Sequence, residues 1–174
     1  VTARFVGGCV RKYLTNDEIE DIDIATILNT EEIKDKFKET YFKVIDTGIK
    51  HGTITLVYDK FKLEITTLRK DLKTDGRHAE VEFSTDWRED SLRRDFTINS
   101  IYSDRDGNLF DPHNGKKDLE DGIINFIGDA ELRIKEDYLR ILRYVRFYIN
   151  YSKKKHNSKV IRVIKKNIGG ISKL

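Results

Sequence analysis

The chain has one proline, one cysteine and no methionine among its 174 residues. A single cysteine, Cys9, excludes an internal disulfide, so no disulfide partner is expected, and it cannot complete a zinc finger with four scattered histidines. No apolar run approaches the roughly 20 residues of a membrane-spanning helix, and no signal-peptide pattern opens the chain. We therefore expect no membrane partner and a reducing compartment, the cytoplasm or, in a eukaryote, the mitochondrial matrix. The missing methionine predicts that N-terminal sequence is absent.

Acidic residues are missing from one region, residues 151–174, which carries eight Lys or Arg and no Asp or Glu. The rest of the chain holds 25 basic and 30 acidic residues, although the net charge of the whole is +3. An acidic body with a basic tail suits a metal-binding domain followed by an element that faces a polyanion. For the tail taken alone, a solvated helix face is an equally good interpretation.

Hydrophobic periodicity predicts a mixed α/β region followed by helices, with a boundary near residue 125. The predicted strands are 21–27, 53–58 and 61–67, and the predicted helices are 30–41, 136–149 and 157–167. Residues 69–91 are polar and are predicted to form a loop, with at most one strand piece at 79–83. This pattern divides the chain into domains 1–125 and 126–174.

Two aspartates share one face of the first predicted strand. Asp21 and Asp23 are two residues apart, so both carboxylates point the same way while the isoleucines between and after them point into the core. Neighbouring carboxylates repel, and Mg²⁺ prefers such hard oxygen ligands together with phosphate. Glu64, on a neighbouring predicted strand, is the best candidate for the third carboxylate of a two-metal site. Taken alone, Asp-x-Asp is more often a solvated strand edge.

A Gly7-Gly8 pair follows an apolar strand and precedes Arg11. Two glycines let the backbone approach a phosphate, and an arginine offers a forked donor. An ordinary tight turn is the better interpretation of the pair by itself. The order changes that balance, because Gly-Gly-x-x-Arg is followed about ten residues later by Asp-x-Asp on a strand.

The predicted helix at 136–149 has two faces. Its apolar stripe is Tyr138, Ile141, Leu142, Val145 and Ile149, and Arg140, Arg143 and Arg146 fall on the other side. Asp137 and Arg140 are three residues apart and are expected to face one another. A carboxylate beside a guanidinium can read the edge of a base by hydrogen bonds. Without the other motifs, an amphipathic helix with solvated arginines would be the preferred interpretation.

Three ordered motifs resemble one known family. They are GGCVR (7–11) with DIDIAT (21–26), RRDFTIN (93–99) and EDYLRILRYVRF (136–147). Together they resemble class II tRNA nucleotidyltransferases (CCA-adding enzymes) and the related bacterial poly(A) polymerases, from residue 5 to about 150. One departure is Lys12, which stands where the family usually has Asp. The resemblance implies an α/β (α+β) nucleotidyltransferase-type head at 1–125, a mixed sheet backed by helices, then the start of a helical neck at 126–174, with body and tail absent.

The resemblance also implies a template-independent, two-metal transfer of CMP and AMP from CTP and ATP to the tRNA 3′ end, with release of pyrophosphate. Asp21 and Asp23 would bind Mg²⁺ and, with Glu64, form the catalytic set. The nucleotide-binding residues would be Gly8, Arg11, Arg94, Asp95, Asn99, Asp137, Arg140, Arg143 and Arg146. In this family Asp137 and Arg140 would act as a protein template that chooses C or A.

Residues 69–81 resemble the family's flexible loop, which favours addition of the full CCA. A poly(A) polymerase shares every motif and is the nearest alternative, followed by an enzyme that adds only A or only CC. A catalytically silent RNA-binding module is the alternative from another class. It is disfavoured because a non-enzyme has little reason to keep Asp21, Asp23 and Arg94.

Overall fold

The computed structural model describes residues 1–75 and 78–174. Its strands are β1 (Ala3–Val6), β2 (Ile22–Thr26), β3 (Lys43–Gly48), β4 (Thr53–Tyr58), β5 (Phe61–Thr67), β6 (Arg69–Asp75), β7 (His78–Phe83), β8 (Tyr102–Ser103) and β9 (Leu109–Phe110). Seven of them form one sheet in the order β3-β4-β5-β2-β1-β8-β9, and β6 pairs with β7. The β2–β5 pair is parallel and the other ladders are antiparallel, so the predicted mixed sheet is confirmed.

The helices are α1 (Gly8–Thr15), α2 (Thr30–Phe37), α3 (Trp87–Leu92), α4 (Gly115–Asp121), α5 (Ala130–Glu136), α6 (Leu139–Tyr151) and α7 (Ser158–Asn167). Short 3-10 segments lie at Ile49–His51, Thr97–Asn99 and Ile168–Lys173. In the described parts of the chain, no helix combines the length and the apolar character that a membrane crossing requires.

The sheet positions the acidic residues as the alternation predicted. In the parallel β2–β5 ladder, Asp23 is the register partner of Glu64, and Ile24 is the partner of Ile65. Ile65 is buried beneath α2, where Ile33 packs in the same cluster. Asp21 lies one residue before β2, so the strand begins slightly later than predicted.

The predicted loop at 69–91 was wrong for most of its length, whereas the strand piece predicted at 79–83 is confirmed by β7. β6 and β7 pair along nearly their whole length, and α3 follows them. Backbone hydrogen bonds hold this hairpin together, so it needs little apolar side-chain burial and its polar sequence gave only a weak strand signal. Gly76 and Arg77, which belonged to the predicted flexible loop, lie outside the described residues.

The predicted helix at 136–149 is interrupted near its start. α5 ends at Glu136 and α6 begins at Leu139, because Asp137 has an extended backbone with φ −154° and ψ 108°. Its Oδ1 accepts a hydrogen bond from the backbone N–H of Leu139 at 2.9 Å. This bond satisfies a backbone N–H group that has no partner in the first turn of α6. The aspartate side chain therefore favours a new helix start here over a continuous helix.

The apolar stripe predicted for this helix was right at Ile141, which is buried, but wrong at three of its five positions. The buried apolar positions of α6 are Ile141, Tyr144 and Phe147. The predicted stripe residues Leu142, Val145 and Ile149 are 47%, 44% and 74% exposed. Aromatic side chains occupy the buried face of α6 because they bury more apolar surface than the aliphatic ones. Tyr144, for example, stacks on Phe126 at 5.9 Å between ring centroids.

The largest core cluster joins the segment around Phe96 to α5, α6 and α7. Phe96 lies 4.6 Å from Phe126 and 5.4 Å from Phe147, measured between ring centroids. The predicted boundary between residues 125 and 126 therefore falls within a shared core, and the division into 1–125 and 126–174 stays a prediction.

Candidate active site

A cleft of about 570 Å³ lies between the β1–α1 turn, the segment after α3 and the first turns of α6. Ten of the predicted site residues line it: Gly8, Arg11, Asp23, Arg94, Asp95, Asn99, Asp137, Arg140, Arg143 and Arg146. Asp21 lines an adjoining cavity of about 310 Å³, to which Gly8, Arg11 and Asp23 also contribute. The lining of neither cavity includes Glu64.

The cleft is strongly cationic. Its lining contains four aspartates and seven arginines, the latter being Arg11, Arg69, Arg93, Arg94, Arg140, Arg143 and Arg146. A cleft whose walls carry an excess of one sign of charge concentrates ligands of the opposite sign. The arrangement therefore suits a polyanion such as a triphosphate.

The Gly7-Gly8 turn brings the start of α1 to the cleft. Gly7 has φ 72°, a left-handed conformation that favours glycine, and its carbonyl accepts the backbone N–H of Arg11 at 3.0 Å. Gly8 is the first residue of the helix and lines the cleft. Unpaired N–H groups and the positive end of the helix dipole make this position favourable for an anion.

Arg11 is buried without a carboxylate partner in residues 1–75 and 78–174. Its Nη1 donates to Oδ1 of Asn99, and its guanidinium lies 4.8 Å from the ring of Phe147 and 4.9 Å from that of Tyr151. Nε has no hydrogen-bond partner within the described chain. An amide and two aromatic rings hold this buried cation without neutralising its charge. The charge is therefore available to an anionic ligand.

The carboxylates at one end of the cleft are crowded. Burial, and then the charge of Glu64, raise the pKa of Asp23 above its usual value, although Arg94 opposes the shift. Glu64 is itself paired with Lys62 at 2.7 Å on the exposed side of β5. A divalent cation between Asp21 and Asp23 would relieve this repulsion, so an all-oxygen site for a hard ion fits these residues.

Within the described residues, no group of three or more His, Cys, Asp or Glu side chains is arranged to hold a metal ion. The candidate metal site therefore consists of the two aspartates alone, and Glu64 lies on the neighbouring strand in its ion pair with Lys62. Mg²⁺ in proteins is commonly held by one or two carboxylates, with substrate phosphates and water completing its coordination. The pair fits a metal that binds together with a phosphorylated ligand.

Arg94 is fixed at the cleft by two residues that the sequence did not identify, Asp90 and Tyr102. Asp90 is fully buried and its Oδ2 accepts from Arg94 Nη2 at 3.1 Å and from the Tyr102 hydroxyl at 2.8 Å. Burial alone would raise the pKa of Asp90, but the Arg94 and Arg93 guanidiniums outweigh it and lower the pKa to about 2. The available signal was the spacing, since an aspartate four residues before an arginine is a helical ion-pair pattern.

Asp95 and Asn99 hold the turn after α3 together and connect it to α6. Asp95 Oδ1 accepts the backbone N–H of Phe96 at 2.9 Å and the Asn99 side-chain amide at 3.0 Å. Its other oxygen accepts a hydrogen bond from Arg143 Nε. Burial opposes ionisation of Asp95, but Arg143 and these hydrogen bonds lower its pKa.

Arg140 does not pair with Asp137, so that expectation was wrong. Its Nη1 donates to Glu136 Oε2 at 2.6 Å and to the Arg133 carbonyl at 2.8 Å. The reason is the break at Asp137, which removes the three-residue helical spacing on which the prediction depended. Both side chains nevertheless line the cleft, on either side of the start of α6.

Arg69 and Asp71 also line the cleft and were not identified as site residues. They are two apart on β6, so both point to one face of the hairpin. Arg69 Nη1 donates to the carbonyl of His51, and burial and then the charge of Arg93 lower its pKa to about 10. Their alternation was visible in the sequence, but the strand was not predicted.

Comparison with known proteins supplies relatives over nearly the whole chain. The CCA tRNA nucleotidyltransferase 1, mitochondrial, of Danio rerio is 46% identical over 172 residues, which are 97% of this chain and 40% of that protein. The CCA-adding enzyme of Lactobacillus johnsonii is 48% identical over 147 residues, 83% of this chain and 36% of that protein. The chain thus spans about two fifths of the length of the curated relatives it matches.

Solved structures share the fold of this chain. The Bacillus stearothermophilus CCA-adding enzyme in complex with CTP superimposes with a TM-score of 0.84 at 34% identity, covering 99% of this chain and 40% of that one. A tRNA nucleotidyltransferase complexed with a primer tRNA and an incoming ATP analog has a TM-score of 0.78 at 30% identity, covering 97% of this chain and 47% of that one.

Residues 3–125 match the family described as the poly A polymerase head domain. This match covers the sheet, the Gly7-Gly8 turn, the Asp21 and Asp23 pair and the segment around Arg94. The family resemblance carried by the three sequence motifs is therefore confirmed, and the chain belongs to the poly A polymerase head domain family.

Proposed function

We propose that this chain is the catalytic part of a template-independent nucleotidyltransferase that adds CMP and AMP from CTP and ATP to the 3′ end of tRNA. The observation that carries the proposal is a single cleft with Asp23 at one end and seven arginines along its walls. That arrangement suits a triphosphate whose reacting phosphorus lies beside the carboxylates. Relatives named as CCA-adding enzymes, and solved relatives holding CTP or a primer tRNA with an ATP analog, support the choice of substrates.

We propose Mg²⁺ as the divalent metal, held by Asp21 and Asp23 with Glu64 as the third catalytic carboxylate. When bound, the metal would lower the pKa of the attacking 3′-hydroxyl and stabilise the leaving pyrophosphate. Glu64 would first have to leave Lys62, with which it forms an exposed ion pair. Water screens such an exposed pair, so exchanging the lysine for a metal costs little free energy.

The phosphates would lie against the start of α1 and two arginines. Gly8 would contribute its backbone N–H group. Arg11 and Arg94 would contribute their guanidiniums, which hydrogen bonds to Asn99 and Asp90 hold in place. Asp95 and Asn99 line the same cleft and would position the sugar and maintain the turn. Preorganised donors of this kind stabilise developing charge without reorganising during the reaction.

The base would be read at the start of α6 by Asp137 and Arg140, with Arg143 and Arg146 beside them. Asp137 Oδ1 is occupied by the Leu139 N–H, which leaves Oδ2 as an acceptor. Arg140 Nη1 is occupied by Glu136 and the Arg133 carbonyl, which leaves Nε and Nη2 as donors. A fixed acceptor and a fixed donor in one cleft can select a base without a nucleic-acid template.

We propose that residues 126–174 begin a helical neck and that tRNA is the partner of the whole protein. The eight basic residues of 151–174, with no acid among them, favour phosphate binding along this part. The compartment would be the cytoplasm or the mitochondrial matrix, as the name of the Danio rerio relative suggests for a eukaryote.

The test is to incubate the protein with Mg²⁺ and a tRNA lacking CCA, supplying CTP and ATP singly and together. The proposal predicts addition of CC with CTP alone and completion only when ATP is present. Long products with ATP alone would instead indicate a poly(A) polymerase. Asp21→Ala and Asp23→Ala should abolish transfer with unchanged circular dichroism, and absence of both extension and Mg²⁺-dependent CTP binding would contradict the proposal.

A further inference from the structure

Arg133 in α5 joins two parts of the site without lining the cleft. Its Nη2 donates to the carbonyl of Arg93 at 2.7 Å and to that of Arg94 at 2.8 Å. Its Nη1 donates to Glu136 Oε2 at 2.7 Å. One guanidinium therefore holds the main chain that carries Arg94 and, through a carboxylate, the end of α5.

The same carboxylate oxygen continues the connection into α6. Glu136 Oε2 also accepts from Arg140 Nη1 at 2.6 Å, and that nitrogen donates to the Arg133 carbonyl at 2.8 Å. Both acceptors that hold the Arg140 side chain therefore belong to residues of α5. A continuous set of charge-assisted hydrogen bonds runs from the backbone of Arg94 to the side chain of Arg140.

We propose that Arg133 is a positioning residue that sets the place of Arg140 relative to Arg94, and thereby sets base selection. The inference rests on the proposed function, in which Arg94 contacts phosphate and Arg140 reads the base. Triphosphate and base are joined covalently through one sugar, so the separation of their two arginines limits which nucleotides can contact both at once. A misplacement of even an ångström at such a pair reduces selection strongly.

Only an arginine fits this role. Arg133 uses two nitrogens of a planar fork for two successive carbonyls and a carboxylate at once, whereas a lysine has a single nitrogen at the end of a flexible stem. Its neighbour Lys135 has an ordinary surface contact, an ion pair with Glu131 at 2.9 Å. Lys135 therefore supplies a matched control on the same helix.

The experiment measures Mg²⁺-dependent binding of CTP, UTP, ATP and GTP to the 174-residue chain by calorimetry, in the wild type, Arg133→Lys, Arg133→Met and Lys135→Met. The inference predicts that the ratio of the UTP to the CTP dissociation constant falls about tenfold in both Arg133 variants, the size expected for loss of charge-assisted hydrogen bonds. The ratio of the GTP to the ATP dissociation constant should also fall in both Arg133 variants. Lys135→Met should show the same two ratios as the wild type.

A purely structural role would weaken binding of all four nucleotides equally and leave both ratios unchanged, which would overturn the inference. If the Arg133 variants fail to fold, Glu136→Gln tests the same connection, because it removes the shared charge while keeping the shape. It should lower the same ratios, and unchanged ratios there would also overturn the inference. Failure of the wild type to bind any Mg²⁺-nucleotide would instead contradict the proposed function itself.

Discussion

Arg143 in α6 donates a hydrogen bond to the buried carboxylate of Asp95, so the helix that carries the arginines is connected directly to the turn that follows α3. Arg143 itself is about one third exposed, so its charge is partly screened by water. The contact nevertheless satisfies a carboxylate that has little access to solvent. Arg143 therefore has a structural task besides the nucleotide contact proposed for it.

Replacing Arg143 by methionine should lower the free energy of unfolding by about 1–2 kcal/mol, because Asp95 loses its only ion-pair partner within the described residues. Urea denaturation followed by circular dichroism measures the change. The matched control is Arg146→Met, three residues later on the same helix and without an ion pair in the described part of the chain, and its effect should stay within about 0.5 kcal/mol. Equal losses in the two variants would refute the role given to Arg143.

Asp90 predicts a specific dependence of stability on pH. Its pKa is lowered to about 2 in the folded chain, so its contribution is present above the unfolded value near 4 and is lost as the pH falls toward 2. The difference in unfolding free energy between the wild type and Asp90→Asn should narrow by about 2 kcal/mol between pH 5 and pH 2. Guanidinium denaturation at stepped pH values measures it.

The control for Asp90 is Asp106→Asn, which changes an exposed aspartate in a surface turn. Its difference from the wild type should stay nearly constant over the same pH range. A constant difference for Asp90→Asn as well would mean that the Arg94 and Arg93 charges do not hold this carboxylate ionised.

How far the sequence could predict the fold depended on the kind of signal. β4 and β5 have the predicted bounds because alternation identifies a half-buried strand directly. Of the β6–β7 hairpin only the strand piece at 79–83 was predicted, and β6 was missed because backbone pairing, which has no residue-specific signal, holds the hairpin together. The start of α6 was misplaced because a single aspartate side chain, Asp137, decides between one helix and two.

The site followed the same rule. Residues that the motifs name, such as Asp23 and Arg94, could be listed in advance, and the structure places them in one cleft. The residues that hold them in place could not be listed, because Arg133 contacts Arg94 only after folding brings together two positions 39 residues apart. Such contacts depend on tertiary geometry, for which periodicity carries no information.

Replacing one of the crowded carboxylates, Asp23, should stabilise the fold, whereas most substitutions destabilise it. Burial and Glu64 raise the pKa of Asp23, so its charge is unfavourable in the folded chain, and stability from this group increases as the pH falls. Without divalent metal at neutral pH, Asp23→Asn should therefore melt at a higher temperature than the wild type. Differential scanning fluorimetry in a chelator measures it.

Adding Mg²⁺ with CTP should reverse that order. At a hundredfold excess over the dissociation constant, the ligand should stabilise the wild type by about 2.7 kcal/mol and the Asp23→Asn variant far less. Asp35→Asn, on the exposed face of α2, should respond as the wild type does. If Mg²⁺ with CTP stabilised Asp23→Asn as much as the wild type, the metal would have to bind elsewhere.

Gly115, at the start of α4, predicts a steric effect on the site from a distance. A Cβ at this position would lie 2.1 Å from the carbonyl oxygen of Thr97, a backbone atom that cannot move without shifting the turn that holds Asn99. Gly115→Ala should therefore cost about 1–3 kcal/mol in unfolding free energy and weaken Mg²⁺-CTP binding as well. Gly169→Ala, where nothing lies within 4 Å, is the matched control and should change neither quantity. A neutral Gly115→Ala variant would mean that the turn has room to move without loosening the cleft.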